Sequence, residues 1–362
     1  MSAGGSQRGA AGARRRGGGP SSRVHCARLG AVAWRRGTDA WRLGVALALV
    51  AAGLAIPAHA QDARATAEHD RADALIERGQ LFAAESVYYG AVKGRPRDPW
   101  ARLNLARHVM ARGAARVASA LYEEARFFGA DPRLFVGELA FAYERAGQWR
   151  ALVTMPGSTL PRGEVRRAEW MQAHAAAARG ADSTSVAWVP ARDDTVAVAA
   201  IGATIGADTA TLFADPLVRG VVVDTAWLRR PAVRVFTDGG TAPRASATVA
   251  VIDSLAIGGL RLVNVPARVA PQPRARGIRV GLDWLGDRGA TFDPGAGRIV
   301  LRRTPGDART IPGARVPTVH TADGLCLVLD GLVPFAGARA ITMLGARRWT
   351  VLGARGEIAV AR

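Results

Sequence analysis

The sequence predicts an α+β multidomain protein in which a helical repeat array precedes an all-β domain. An apolar segment at residues 43–56 leads into a small-x-small tripeptide, and glycines recur every 34 residues between positions 79 and 147. From Ser183 onward, short runs of Val, Ile and Leu alternate with Gly, Pro and Asp, which is typical of β-strands joined by turns. The 362 residues, 49% of them hydrophobic, exceed one typical domain and can bury a sizeable core.

Residues 1–60 are interpreted as a signal peptide with an extended basic n-region. The stretch RLGVALALVAAGLAIPAHA at residues 42–60 contains a basic residue, an apolar run, a Pro57 breaker and a small-x-small ending. This pattern predicts cleavage before Gln61. A membrane anchor is the alternative, but the apolar run is shorter than the about 20 residues that span a bilayer. We expect an exported protein, periplasmic or secreted, without stable membrane insertion after cleavage.

A 34-residue repeat runs through the helical part of the chain, which begins near Ala65. Gly79, Gly113 and Gly147 are spaced 34 residues apart. The same offset aligns further positions: Ala72 with Ala106 and Ala140, Ala84 with Ala118, Tyr88 with Tyr122, Ala91 with Ala125, and Leu105 with Leu139. A match this dense predicts a stack of helical hairpins.

The phrases GQLFAAESVYYGAVKGRP and GAARVASALYEEARFFGADP in these repeats resemble the tetratricopeptide family. The repeats fall at residues 65–98, 99–132 and 133–166, inside a domain at residues 61–182. The third is degenerate because Leu152 replaces a small residue and Pro156 interrupts its second helix. A further helix at residues 161–180 is expected to cap the stack. Two roles are open: a concave surface that holds a peptide or a neighbouring subunit, or a spacer packed on the β-domain.

Residues 183–303 are predicted to form the β-domain, and three of their segments carry a family resemblance. The segments are TVAVAAIGATIGADTATLFADP, VIDSLAIGGLRLVNVPARV and GIRVGLDWLGDRGATFDPGAGRIVLRR. In this order they resemble the opening hairpin, a second hairpin and the Gly-Leu-Asp stretch of retropepsin-like aspartic proteases. The resemblance implies a retropepsin-like (acid protease) barrel domain behind tetratricopeptide-like helices, an arrangement that occurs among exported bacterial members of that family.

In that family two aspartates, one from each lobe, share a proton, so that one activates water while the other donates to the carbonyl. Each aspartate comes from an Asp-Thr/Ser-Gly loop, and one lobe per chain implies a homodimer. By the resemblance, the catalytic position falls on Asp215. Pro216 and Leu217 stand where the hydroxyl residue and the glycine would be. Proline has no amide N–H, and leucine adds bulk where two loops must meet.

Asp224 is a second candidate for the catalytic aspartate. It follows the apolar run at residues 221–223 and precedes Thr225, but it leaves less chain before Gly281 and the stretch that follows it. An aspartate at the end of a strand is also common as a turn residue. Two functions are therefore open: an aspartic endopeptidase that hydrolyses a polypeptide substrate, or a catalytically inactive pseudo-protease that binds polypeptide or acts as a scaffold.

Residues 304–362 are predicted to form a C-terminal β extension. Its last part, LGARRWTVLGARGEIAVAR, matches LGDRGATFDPGAGRIVLRR at an offset of 59 residues. The match predicts two similar hairpins, either as a decayed duplicate of the closing hairpin or through similar turn chemistry. Neither copy contains another Asp-Thr/Ser-Gly triplet, so the sequence shows no second catalytic half.

The composition argues against several other functions. The chain carries 49 Lys and Arg against 30 Asp and Glu, but these basic residues are scattered rather than gathered among aromatic residues, so we expect no nucleic-acid partner. The chain has two cysteines, and Cys26 lies in the segment expected to be removed, so we expect no disulfide framework and no cysteine-based metal site. The histidines lack metal-ligand spacing and no phosphate-binding loop is found. We expect no cofactor and no metal.

Overall fold

The computed structural model describes residues 58–155, 160–191, 197–238, 248–270, 277–304, 306–321, 324–335 and 347–361. All of them belong to one compact unit. The predicted signal segment lies outside the described residues up to position 57. The first helix begins at Ala58, so the predicted cleavage point before Gln61 falls in its first turn. Within the described ranges, no helix combines the length and the apolar character that a bilayer crossing requires.

The N-terminal part of the described chain is helical. Its helices are α1 (Ala58–Glu77), α2 (Leu81–Gly94), α3 (Pro99–Ala111), α4 (Ala115–Phe127), α5 (Val136–Ala146), α6 (Trp149–Val153) and α7 (Arg162–Ala173). The three predicted repeats correspond in turn to the helix pairs α1 and α2, α3 and α4, and α5 and α6, although α1 begins before the first repeat, at Ala58. The short α6 ends before Pro156, which lies outside the described residues.

The residues that repeat at the 34-residue offset have the same structural role in each pair of helices. Gly79, Gly113 and Gly147 have φ angles of 75°, 85° and 69°, in the left-handed region where glycine is unstrained. They form the turns within the three hairpins. The aligned alanines, tyrosines and leucines are all buried between the helices. The residues that repeat are therefore those that form the turns and those that allow the helices to pack closely.

The residues that precede helix α3 explain where it begins. Asp98 precedes α3 and its carboxylate accepts hydrogen bonds from the backbone N–H groups of Trp100 at 2.9 Å and Ala101 at 3.4 Å. Pro99 occupies the first helical position, where its missing N–H removes no helical hydrogen bond. The start of α3 is thus fixed by the sequence itself.

The predicted capping helix over residues 161–180 is wrong in its last part. Helix α7 ends at Ala173, and strand β1 (Ala177–Gly180) follows it. This strand pairs antiparallel with a later strand, from Ala177 opposite Val263 to Gly180 opposite Leu260. The alanine-rich sequence favours a helix locally, but pairing with an open sheet edge overrides that propensity. The sheet therefore begins before the predicted domain boundary at residue 182.

The remainder of the described chain is mainly β-structure. The strands after β1 are β2 (Ser183–Val189), β3 (Ala199–Ile205), β4 (Asp208–Asp215), β5 (Val221–Val223), β6 (Val233–Phe236), β7 (Val249–Ile257), β8 (Leu260–Val269), β9 (Ile278–Gly281), β10 (Thr291–Asp293), β11 (Arg298–Arg302), β12 (Ala314–Thr321), β13 (Gly324–Val328), β14 (Leu332–Pro334), β15 (Trp349–Leu352) and β16 (Glu357–Val360). Helix α8 (Leu282–Gly286) follows β9 directly. This order of helices followed by a sheet confirms the α+β class.

The strands form one continuous sheet in the order β14-β13-β12-β16-β15-β10-β11-β2-β3-β4-β9-β5-β8-β7-β6, with β1 beside β8 and an additional β3–β7 pairing. Most pairs are antiparallel, but β4 runs parallel to β9, and β5 parallel to β8. Alternate residues of the strands point into a shared core that contains Trp188, Phe292 and Trp349. The curved sheet places the ends of β4 and β9 side by side.

The C-terminal extension joins this sheet through the two similar hairpins. The β10–β11 and β15–β16 hairpins lie next to each other, with Thr291 opposite Thr350. These two threonines are equivalent at the 59-residue offset, and their hydroxyl oxygens are 2.8 Å apart. The two hairpins are thus related by a local two-fold axis. This arrangement is compatible with a decayed duplication and with two hairpins that merely have similar turns.

Candidate functional site

Asp215 is the last residue of β4 and lies opposite Gly281 of β9. Its side chain is buried, with 2% of the residue exposed. One carboxylate oxygen accepts a hydrogen bond from the backbone N–H of Leu217 at 2.8 Å. The other forms an ion pair with the guanidinium of Arg279 on β9. Both oxygens of Asp215 are therefore bound by groups of the same chain.

Asp224 lies in a different place and has a capping role. It precedes a 3₁₀ turn at Thr225–Arg229, and its carboxylate accepts a hydrogen bond from the backbone N–H of Ala226 at 2.7 Å. Since β9 lies between β4 and β5, Asp215 lies at one end of β9 and Asp224 beyond the other. The rise per residue of a strand separates them by roughly 13 Å along β9, and the width of two strand spacings adds to this. The two candidates cannot share a proton within one chain.

Asp283 is a third buried carboxylate, two residues beyond the partner of Asp215 in the β4–β9 register. One of its oxygens accepts hydrogen bonds from the backbone N–H groups of Gly220 at 3.1 Å and Trp284 at 2.7 Å. Its other oxygen is 3.3 Å from Nη2 of Arg145 on α5. Burial would raise the pKa of Asp283, but Arg145 and the other positive groups around it hold that pKa below its ordinary value.

A charged cluster surrounds Asp283 where the helices meet the β-domain. Arg145 also contacts Asp287 at 2.7 Å, and Arg219 donates a hydrogen bond to the carbonyl of Met110 at 2.8 Å. Burial, together with the charges of Arg219 and Arg145, lowers the pKa of His320 to about 4 despite the opposing effect of Asp283. Burial raises the pKa of Asp287. The cluster ties the helices to the loop that follows Asp215.

The C-terminal extension covers the loop after Asp215. The backbone N–H of Leu325 on β13 donates a hydrogen bond to the carbonyl of Pro216 at 2.9 Å. At Gly324 a Cβ atom would lie 2.8 Å from that carbonyl oxygen and 2.5 Å from Cδ2 of Leu217, so only glycine permits this approach. One side of this loop is thus occupied by the C-terminal extension.

The helices hold the extension in this position from the other side. Leu81 of α2 packs in a buried cluster with Val319, Cys326 and Val328 of β12 and β13. A Cβ atom at Gly79 would lie 2.2 Å from the carbonyl oxygen of Leu329. The β12–β13 hairpin is therefore enclosed between the helical hairpins and residues 216–220, the aspartate loop, which join β4 to β5.

The sequence identified Asp215 and Asp224 but not the residues that bind them. Arg279 carries no motif, and it becomes a partner of Asp215 only because β4 and β9 are parallel neighbours. Asp283 is part of the Gly-Leu-Asp stretch on which the family resemblance partly rests. That stretch was the sequence signal that could have placed Asp283 beside the loop. Among the described residues, no group of three or more His, Cys, Asp or Glu side chains is arranged to hold a metal ion.

No protein-family model matches the chain, and no curated protein matches it. Among solved structures, the chain is similar to a retropepsin-like aspartic protease from Rickettsia conorii, with 14% sequence identity and a TM-score of 0.24. The alignment covers 35% of this chain and 92% of that protease.

Proposed function

We propose that this protein is a non-catalytic polypeptide-binding protein, in which the aspartate loop of the β-domain stabilises the fold. The observation that carries the proposal is the environment of Asp215. An aspartic peptidase needs a carboxylate that faces a second carboxylate and holds a water between them. In this chain a guanidinium and a backbone N–H take the oxygens of Asp215, and the β12–β13 hairpin covers its loop.

The proposed binding surface lies on the first helical hairpin. A cleft of about 650 Å³ between α1 and α2 is lined by apolar groups such as Leu75 and Val87 and by charged groups such as Arg71. Phe82 and Tyr89 are seven residues apart and so lie on the same face of α2. They are 71% and 54% exposed. Exposed aromatic side chains on a helix that lines a cleft are typical of surfaces that bind other proteins. We expect an extended polypeptide segment to occupy it.

The absence of catalysis is tested by cleavage of a mixed peptide library. The full chain is incubated from acidic to neutral pH beside its Asp215→Asn and Asp224→Asn variants. The proposal expects no cleavage above background in any of the three proteins. Cleavage that one of the two substitutions abolishes would overturn it and identify the catalytic aspartate.

The binding function is tested with a fluorescently labelled, permanently unfolded polypeptide in an anisotropy titration. Phe82→Ser and Tyr89→Ser together should weaken binding about tenfold or more, because aromatic anchors dominate such interfaces. Val189→Ser on β2 is the matched control, since Val189 is also exposed but lies on another part of the protein. Equal affinity of the double variant and the control would contradict the proposed surface.

An aspartic peptidase remains the second candidate function. The position of Asp215 at the end of β4, beside Gly281 of the parallel strand β9, is the observation that favours it. This function requires Arg279 and the β12–β13 hairpin to leave the loop and a second copy of the chain to supply another aspartate. The same peptide-library experiment distinguishes the two candidates.

Export to the periplasm or beyond is part of the proposal. It rests on the apolar run at residues 43–56 and the small-x-small ending at Ala60. Expression of the full chain in a bacterial host, followed by N-terminal sequencing of the periplasmic fraction, should give Gln61 as the first residue. A full-length N-terminus in the cytoplasmic fraction alone would contradict export.

A further inference from the structure

A row of small side chains crosses the outer face of the sheet at the two similar hairpins. The register places one residue of each strand in this row, namely Ser185 of β2, Val300 of β11, Thr291 of β10, Thr350 of β15 and Ala359 of β16. The large side chains of the same strands, among them Phe292 and Trp349, point to the opposite face and fill the core. The row therefore leaves a depression in the outer surface of the sheet.

The depression and the residues around it form a partly open cavity of about 550 Å³. Arg298 and Arg302 flank Val300 on β11, and residues 306–312 contribute Ile311 and Pro312 to the lining. Arg315 on β12 donates a hydrogen bond to the carbonyl of Ile311 at 2.7 Å and so holds this covering segment in place. The size is within the range of small-molecule binding sites, about 300–1,000 Å³.

The lining of this cavity carries an excess of positive charge. It contains three arginines and one acidic residue, Asp293, which forms an ion pair with Arg348 at 2.8 Å. Arg302 donates hydrogen bonds to the carbonyl of Gly289 at 2.7 Å and the hydroxyl of Thr291 at 3.1 Å. Within the described part of the chain, neither Arg298 nor Arg302 forms an ion pair. Two guanidinium groups therefore line the cavity without a matching carboxylate.

We infer that this cavity binds a small carboxylate with an apolar body. A guanidinium recognises a carboxylate through paired N–H donors, and Arg298 and Arg302 supply such donors on either side of Val300. The apolar body contacts Val300, Ala359 and the Ile311 segment. The carboxylate belongs to a free short-chain acid or to the C-terminus of an apolar peptide. The site is on the outer face of the sheet and is independent of the aspartate loop.

Isothermal titration calorimetry of the full chain tests this inference with four probes. These are octanoate, octanamide, a short peptide that ends in leucine, and the same peptide with an amidated C-terminus. Octanoate or the free-acid peptide should bind at least about tenfold more tightly than its neutral counterpart, because a charge-assisted hydrogen bond is worth about 1.5–3 kcal/mol. The tighter of the two acids identifies the source of the carboxylate. Equal binding of the acids and their amides, or no binding of either acid, would overturn the inference.

Variants locate the site. Arg298→Gln should weaken binding of the preferred acid about tenfold, whereas Arg309→Gln should not change it. Arg309 is exposed, lies in the covering segment and carries the same charge, but it does not line the cavity. Ala296→Trp, at the exposed turn that borders the cavity, should reduce binding by filling the entrance. Unchanged affinity in both Arg298→Gln and Ala296→Trp, with melting temperatures like that of the parent chain, would place the binding elsewhere and overturn the inference.

Discussion

At the end of β4, the carboxylate of Asp215 and the guanidinium of Arg279 form a buried ion pair between two parallel strands. Their side chains are 3% and 12% exposed. Removal of one partner from such a pair leaves an uncompensated charge in a region with little water, which costs more than the pair itself contributes. The same residues would have to separate before Asp215 could act on a substrate. The free energy that the ion pair contributes to folding therefore opposes any catalytic use of Asp215.

Arg279→Gln should reduce the free energy of unfolding by about 3–5 kcal/mol, because it leaves the Asp215 carboxylate buried without a counter-charge. Adding Asp215→Asn to this variant should restore part of the loss. Arg230→Gln, which removes a largely exposed ion pair with Asp208, should cost less than about 1 kcal/mol. Urea denaturation followed by circular dichroism measures all three. A cost for Arg279→Gln no larger than for Arg230→Gln would contradict a stabilising role for the pair.

Among the helical hairpins, the three repeated glycines share a backbone conformation but differ in their surroundings. A Cβ atom at Gly147 would meet no heavy atom within 4 Å, whereas at Gly79 it would lie 2.2 Å from the carbonyl oxygen of Leu329. The turn requirement is therefore common to the repeats, whereas of these two glycines only Gly79 lies against the C-terminal extension. Substitution of each glycine by alanine separates the two effects.

Gly147→Ala should cost about 1–2 kcal/mol, the penalty of a left-handed conformation for a residue with a Cβ atom. Gly79→Ala should cost distinctly more, since the added methyl group also displaces the Leu329 backbone. Thermal unfolding provides the comparison, and limited proteolysis of the segment after β13 reports whether the extension has moved. Equal costs for the two substitutions would show that the extension does not press on the first hairpin.

The same elements show what the sequence can and cannot predict. The glycine, alanine and tyrosine positions at the 34-residue offset are local signals, so the helical hairpins and their turns follow from the sequence. Strand β1 was predicted as helix because its alanines favour that state, and only the distant edge of β8 makes it a strand. Asp215 was located through the family resemblance, but its partner Arg279 was not found, because the strand order decides which side chain reaches the carboxylate.

Across the whole molecule, the helices, the β-domain and the C-terminal extension meet in one charged cluster. Arg145 comes from α5, Asp283 and Asp287 from α8 and the residue after it, Arg219 from the aspartate loop, and His320 from β12. Because these groups lie far apart in sequence, their contacts form only when all three parts of the chain are in place. The ionisation of the cluster is therefore coupled to global folding.

Acid should destabilise the protein through His320. Its pKa is about 4 in the folded state, below the ordinary value of 6.5, because burial, Arg219 and Arg145 outweigh Asp283. Between these two pH values the unfolded chain binds a proton that the folded chain does not, so stability falls as the pH is lowered through this window. Asp287, whose pKa is raised by burial, acts in the opposite direction between pH 3.8 and its folded-state pKa. The loss from His320 alone approaches about 1.4 kcal/mol per pH unit within the window.

Urea unfolding at intervals from pH 7.5 to about pH 4 measures this dependence. The His320→Gln variant keeps a polar side chain but has no titrating group at this position. Between about pH 6.5 and pH 4, the slope of its unfolding free energy against pH should be smaller by the contribution of up to one bound proton. Burial also lowers the pKa of His108, so a residual slope of the same sign is expected, and His108→Gln should remove it independently. If the unfolding free energies of His320→Gln and of the parent chain fall with the same slope against pH, protonation of His320 does not destabilise the folded protein.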